Sequence, residues 1–149
     1  MVKTALAQPQ SEQISGPRLD GRRLLWAGPL TMVTVMVANT FVRYVAAATL
    51  QPDPAFVPLG PVTPAVFSLL GVLGAVILLA VIARYSRRPL WLFQRVVLIA
   101  LPITWVPDIL LLVTGGLPGT TPANVLVLML MHVVAVAFIL TLLTRLARE

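Results

Sequence analysis

Long apolar stretches alternate with short polar connections along the chain, and this alternation predicts the fold. Each of four stretches carries few charged side chains and has about the 20 residues that a helix needs to cross a hydrocarbon core of about 30 Å. We therefore predict an all-α protein, an integral membrane four-helix bundle over residues 24–149 whose spans run up, down, up and down. The predicted spans are residues 24–50, 64–83, 96–117 and 124–143.

Composition agrees with a membrane protein. Hydrophobic residues make up 58% of the chain and charged residues 11%, whereas soluble domains typically carry about 25% charged residues. The mean hydropathy is +0.95. The chain has no cysteine and one histidine, which excludes disulfides and thiol catalysis and argues against a histidine-rich metal site. We predict no metal and no cofactor.

Basic residues indicate which ends of the spans face the cytoplasm. Of the 11 Lys and Arg residues, all but Arg43 lie before span one, between spans two and three, or after span four. The positive-inside rule then places both termini in the cytoplasm. The net charge of +6 follows from this topology rather than from nucleic-acid binding. The expected partners are membrane lipids, with a homo-oligomer or a membrane-protein partner left open.

The segments outside the spans differ in kind. Residues 1–23 contain Gln, Ser, Pro and Gly with no apolar period, which predicts a disordered cytoplasmic tail. Residues 51–63 are rich in proline, with Asp53 as their charged residue, and predict a stiff loop that folds back over the mouth of the bundle. Residues 84–95 form a basic and aromatic connection, and residues 115–123 form a short uncharged turn.

Three ionisable side chains, Arg43, Asp108 and His132, lie inside three different predicted spans. A charge at the centre of a bilayer costs at least about 2.5–3.5 kcal/mol, so such residues usually face the bundle interior and mark a functional site. At about 1.5 Å per residue, Asp108 and His132 both lie about 12 Å below the outer boundary. Arg43 lies about one turn further out, and Asn39 is one turn below Arg43 on the same helix face.

The shared height of these residues predicts one polar pocket in the outer half of the bundle. Pro102 and Pro107 interrupt the backbone hydrogen bonds of span three, and the resulting kink could widen the bundle beside Asp108. Trp105 lies on the turn before Asp108 and would form an apolar wall. We predict that the pocket binds a lipid or another amphiphile. The predicted ligand-binding residues are Asn39, Arg43, Thr104, Trp105, Asp108 and His132.

Other interpretations of these residues stay open at this stage. Arg43 and Asp108 could be a structural ion pair that sets helix register, or Arg43 could face the outer phosphates while Asp108 is protonated. His132 is either a hydrogen-bonded packing residue or a functional group. The alternative function is that of a small integral-membrane isomerase, cyclase or hydrolase acting on a lipid or isoprenoid, with Asp108 and His132 as acid and base.

Several short motifs resemble those of a family of small four-helix membrane proteins. They follow the opening span in the order PAFVPLG at 54–60, ARYSRRP at 83–89, VPD at 106–108 and MHVVA at 131–135. The family is known mainly from actinobacteria and related bacteria, as a domain of unknown function, and the resemblance covers about residues 22–148. It implies four spans and a bacterial inner-membrane location, and it implies no reaction, cofactor or catalytic residue.

Overall fold

The computed structural model describes residues 21–147, and this part of the chain contains helices and no strand. Helix α1 is Gly21–Leu50, α2 is Thr63–Tyr85 and α3 is Pro89–Thr114. The fourth helix, α4, follows after the turn at residues 115–121. These bounds confirm the prediction of an all-α chain with four long apolar helices.

Helix α4 changes its winding near its end. It consists of an α-helix at Pro122–Phe138, a π-helical turn at Ile139–Leu143 and a last α-helical turn at Thr144–Leu146. Its buried side chains include Ile139, Leu143 and Ala147, which are four residues apart. In a regular α-helix each such step turns the buried face by about 40°. The wider π-helical turn offsets this drift, so the end of α4 keeps its buried side towards the core.

Proline lies in the first turn of three helices, at Pro64, Pro89 and Pro122, where its missing N–H costs no helical hydrogen bond. Helix α3 therefore begins at Pro89, earlier than the span predicted from residue 96. Residues 89–95, predicted as connection, form its first turns. The difference arises because Gln94 and Arg95 interrupt the apolar run, so the pattern starts the span after them, whereas the helix extends back through the apolar residues 90–93 to Pro89.

All four helices are long and apolar enough to cross a membrane. The most apolar parts of α1, α2, α3 and α4 have mean hydropathies of 1.5, 2.9, 2.4 and 2.8, and only 28%, 28%, 11% and 17% of their residues are buried. Large side chains such as Phe67, Ile103 and Val113 are 68%, 63% and 77% exposed. Apolar surface on this scale is unusual for a soluble monomer, and it is what contact with lipid requires.

Each helix packs against two neighbours: α1 against α2 and α4, and α3 against α2 and α4. Apolar side chains form two clusters, one at each end of the bundle. We call the end that carries the α2–α3 connection the α2–α3 end, and its larger cluster includes Val35, Leu79, Phe93 and Leu143. The opposite end, which carries residues 51–62 and 115–121, is the loop end. Its smaller cluster centres on Phe56, Leu59 and Met131.

The loop at residues 51–62 folds back over the ends of α1, α3 and α4, as predicted. Phe56 and Leu59 are 1% and 5% exposed, and they pack with Met131 and with side chains of α1, α3 and α4. Residues Val57–Leu59 form a 3-10 turn. The loop packs closely against the α3–α4 turn at Gly119. A Cβ atom at this position would lie 2.7 Å from the Asp53 Cβ.

The predicted tail falls mostly outside the described residues. Of residues 1–23, only Gly21, Arg22 and Arg23 are described, and they form the first turn of α1.

Candidate ligand-binding site

The contact between α3 and α4 carries an ionisable pair. The Nδ1 atom of His132 lies 3.3 Å from Oδ2 of Asp108 and 2.8 Å from the backbone carbonyl oxygen of Leu128. The His132 side chain is 37% exposed, and the Asp108 side chain is 11% exposed. Asp108 and His132, which the sequence predicted to share one height, therefore meet across the α3–α4 contact.

The surroundings of the imidazole assign its tautomer. Both atoms near His132 Nδ1 are acceptors, a carbonyl oxygen and a carboxylate oxygen. Nδ1 must therefore carry a proton, which it donates to the Leu128 carbonyl. This leaves Nε2 as the ring nitrogen that can accept a hydrogen bond or a proton. Because Nδ1–H points at Leu128, the Asp108 Oδ2 atom has no hydrogen bond within the described part of the chain.

A second polar atom of α3 lacks a partner near Asp108. The indole Nε1 of Trp105 is buried and has no hydrogen bond among the described residues. Trp105 precedes Asp108 by three positions and so lies on the same face of α3. The Trp105 Nε1–H group is a donor, and the Asp108 Oδ2 atom is an acceptor. Buried polar atoms without partners are uncommon in native proteins and call for a physical explanation.

Asn39 belongs to a different contact, between α1 and α2. Its Nδ2 donates to Ser68 Oγ at 2.8 Å, and the two residues are 5% and 6% exposed. The Asn39 Oδ1 atom is buried without a hydrogen bond in the described region. This neutral pair is an interhelical hydrogen bond of the kind that joins helices in membranes.

Arg43 contacts the loop and not Asp108. Its Nε donates to the backbone carbonyl of Leu59 at 3.1 Å, and its guanidinium carbon lies 5.1 Å from the centroid of the Tyr44 ring. Within residues 21–147, Arg43 and Asp108 do not form an ion pair, because Asp108 pairs with His132. The predicted interpretation of Arg43 and Asp108 as a structural pair is therefore wrong.

Thr104 lies apart from the polar contacts. Its hydroxyl donates to the Leu101 carbonyl at 2.7 Å, and the side chain is exposed. This bond is local to α3, which continues as a helix through Pro102 and Pro107. The structure thus brings Asp108, His132 and the neighbouring Trp105 together, and it places Asn39, Arg43 and Thr104 elsewhere.

A cavity of about 490 Å³ opens at the loop end, between the end of α1 and the loop. Of the predicted ligand-binding residues it contains Arg43 alone. Asp53, the second charged residue of the lining, was not among the predicted site residues, although it is the only acidic residue in a proline-rich connection. The lining consists of Arg43, Ala47, Gln51, Pro52, Asp53, Pro54, Phe56, Leu59, Gly60 and Pro61.

The described residues contain no group of three or more His, Cys, Asp or Glu side chains that could hold a metal ion.

The fold and these contacts define a class: a four-helix protein of membrane-spanning character with ionisable groups between its helices. A family model described as a family of unknown function, DUF6069, matches residues 19–149. The chain belongs to this family. No curated protein and no solved structure matches the chain.

Proposed function

We propose that the protein is a multi-pass protein of a bacterial cytoplasmic membrane that binds the polar head of an amphiphile at Trp105, Asp108 and His132. We call these three residues the α3–α4 site. The single observation that carries the proposal is the His132–Asp108 pair, a carboxylate and an imidazole within 3.3 Å of each other between two apolar helices. Ionisable groups at this depth are costly and are usually kept for function.

The available atoms favour a hydroxyl-bearing head group. The Trp105 indole is a donor without a partner and the Asp108 carboxylate is an acceptor without one, both within the described region. A hydroxyl can accept from the first and donate to the second. The exposed part of His132 adds a third polar contact at the surface. The surrounding apolar side chains of α3 would contact the acyl or isoprenoid chain.

The orientation of the protein follows from the distribution of its basic residues. Both termini and the α2–α3 connection would lie in the cytoplasm, because ten basic residues flank that side and the loop end has none outside α1. The α3–α4 site would then lie in the outer half of the membrane. A cysteine placed at Thr120 should react with a membrane-impermeant maleimide in intact cells, and one placed at Arg87 should react only after lysis.

Ligand binding can be measured by thermal unfolding in detergent with and without a bacterial lipid extract. We expect the extract to raise the midpoint more for the wild type than for Asp108→Asn or His132→Gln, because each variant removes one polar partner of the head group. Thr114→Val is the matched control. It lies on the same helix, is exposed and donates only to the Leu110 carbonyl, so its shift should equal that of the wild type.

Two outcomes would count against the α3–α4 site. One is an equal lipid shift in the wild type and in both site variants, and the other is no shift in any protein. A positive result identifies the ligand class directly, because the bound amphiphile can be extracted and its mass determined.

A second candidate function, enzymatic proton transfer on a lipid or isoprenoid, is supported by the orientation of His132. Its Nδ1–H is held by the Leu128 carbonyl beside Asp108, which leaves Nε2 free to act as a base. Incubation of the reconstituted protein with the same extract should then change the mass or double-bond position of one lipid. This change should be absent with His132→Gln, and its absence from the wild type would leave binding as the function.

A further inference from the structure

The cavity at the loop end is separate from the α3–α4 site, since its lining contains none of Trp105, Asp108 and His132. Its volume of about 490 Å³ lies within the range of about 300–1,000 Å³ that small-molecule pockets occupy. Two charged side chains of opposite sign, Arg43 and Asp53, line it. They do not form an ion pair within the described part of the chain.

Arg43 presents a fixed guanidinium to this cavity. Its Nε–H is bonded to the Leu59 carbonyl, and its ring contact with Tyr44 holds the other side of the group. The terminal nitrogens have no protein hydrogen bond within residues 21–147. A guanidinium anchored in this way can direct two parallel N–H groups at two oxygens of a phosphate, the geometry that arginine forms best.

Asp53 presents the opposite charge. Its Oδ1 accepts the Ala55 N–H at 2.8 Å, which orients the carboxylate and leaves Oδ2 for another donor. Its Cβ lies against Gly119 of the neighbouring turn, and the residue is exposed, so its carboxylate is accessible to a ligand. A cavity for a simple anion would not hold a carboxylate opposite its arginine, because like charges repel. A ligand that carries both charges satisfies both residues.

We propose that this cavity binds a zwitterionic head group in which a phosphate is joined by a short link to a primary ammonium. The phosphate lies on the terminal nitrogens of Arg43, and the ammonium donates to Asp53. Gln51 adds an amide to the lining. Tyr44, which contacts the Arg43 guanidinium and is 62% exposed, provides an aromatic surface on α1 that suits the acyl chains of a lipid that carries such a head group.

The test uses the full chain in nanodiscs of three compositions: phosphatidylcholine alone, or phosphatidylcholine with either phosphatidylethanolamine or phosphatidylglycerol. Phosphatidylethanolamine has the ammonium N–H groups, phosphatidylcholine has a cation without N–H groups, and phosphatidylglycerol has no cation. Relative to nanodiscs of phosphatidylcholine, we expect those that contain phosphatidylethanolamine to raise the Tm of the protein by about 2–4 °C, and those that contain phosphatidylglycerol to leave it unchanged. The rise should be lost in Arg43→Gln and in Asp53→Asn, whose amide oxygen can still accept from Ala55.

Arg95→Gln is the matched control. It removes one positive charge and one ring contact, since the Arg95 guanidinium carbon lies 5.2 Å from the Trp91 ring centroid, but it lies outside the cavity. It should keep the full rise. Asp108→Asn should also keep it, so the failure of the α3–α4 site and the failure of this cavity are distinguishable.

Soluble phosphoethanolamine, titrated into the detergent-solubilised protein, separates the two sources of the head group. An Arg43-dependent rise with the soluble compound assigns binding to the head group alone, and a rise seen only with the lipid shows that the acyl chains contribute; both support zwitterion recognition. An equal rise with phosphatidylglycerol, a rise that survives Arg43→Gln and Asp53→Asn, or no rise with either source would overturn the proposal.

Discussion

At the α2–α3 end of the bundle, Leu79, Phe93 and Leu143 are 0% exposed and lie among other apolar side chains. At the loop end, the helices also contact one another and the loop through polar groups. The Asn39–Ser68, Asp108–His132 and Arg43–Leu59 contacts all lie in this half. In lipid, helix association depends on close packing and interhelical hydrogen bonds rather than on the hydrophobic effect. At the α2–α3 end the helices associate through close packing. At the loop end they associate through close packing and polar contacts.

Backbone conformation follows the same division. The described residues with positive φ are Gln51 at 44°, Gly115 at 61° and Gly119 at 72°, and all three belong to the loop end. Glycine adopts a positive φ at little cost, so Gln51 is the strained position among the three, and it lines the loop-end cavity. The comparison teaches that one end is held together by apolar packing, while the other combines apolar packing with polar contacts and carries both proposed binding sites. The experiments below either break this division or sharpen it.

The largest effect is expected from Gly119→Ala. A Cβ there would meet the Asp53 Cβ at 2.7 Å on a backbone with a φ of 72°. The conformation costs about 1–2 kcal/mol and the overlap about 1–3 kcal/mol, so we expect a loss of about 2–5 kcal/mol in the free energy of unfolding. The measurement is reversible unfolding in detergent.

Two other glycines are the controls for this variant. Gly115→Ala has the same backbone cost, but nothing lies within 4 Å of its Cβ, so it should lose only about 1–2 kcal/mol. Gly28→Ala, towards the α2–α3 end, meets only the Val76 side chain at 3.3 Å and should change stability by less than about 1 kcal/mol. Equal losses at Gly119 and Gly28 would contradict the proposed difference between the ends.

A smaller effect is expected from a double-mutant cycle between Asp108→Asn and His132→Gln. The two residues are in contact, so we expect a coupling energy of about 1 kcal/mol, within the range found for polar pairs in membranes. A parallel cycle between Asp108→Asn and Arg43→Gln should be additive within about 0.5 kcal/mol. Coupling between Asp108 and Arg43, with none between Asp108 and His132, would support an Arg43–Asp108 ion pair and contradict the contacts in the structure.

The smallest effect is expected from Gln51→Gly. Gln51 ends α1 with a φ of 44°, a conformation that costs a residue with a Cβ about 1–2 kcal/mol. Glycine removes this cost but loses about 0.5–1 kcal/mol in chain entropy, so unfolding should become harder by about 0.5 kcal/mol. A loss of stability would mean that the Gln51 side chain contributes more through its contacts than its backbone costs.

The hydrophobic pattern was sufficient to predict the four helices, because each needs a run of apolar residues long enough to cross a membrane. The start of α3 was not predictable in this way, since Gln94 and Arg95 separate the apolar residues 90–93 from the rest of the span, although all of them are helical. Sequence distance along the helices also predicted that Asp108 and His132 share a height, and the structure brings them into contact.

Rotation about the helix axes and loop conformation limited the rest of the site prediction. Height alone did not reveal that Arg43 turns to the Leu59 carbonyl, because this partner is a backbone atom of a folded loop. For the same reason Thr104 entered the predicted pocket although its hydroxyl bonds to its own helix. Asp53 was overlooked because its importance depends on how close the loop lies to the end of α1.

The π-helical turn at Ile139–Leu143 has a consequence for comparing the chain with its relatives. Such a turn accommodates one residue more than an α-helix of the same rotation. A relative with one residue fewer here would form an unbroken α-helix with its buried face in the same direction. We therefore expect length variation among family members to include single-residue gaps inside the last helix, where an alignment that confines gaps to loops would misplace every residue after Phe138.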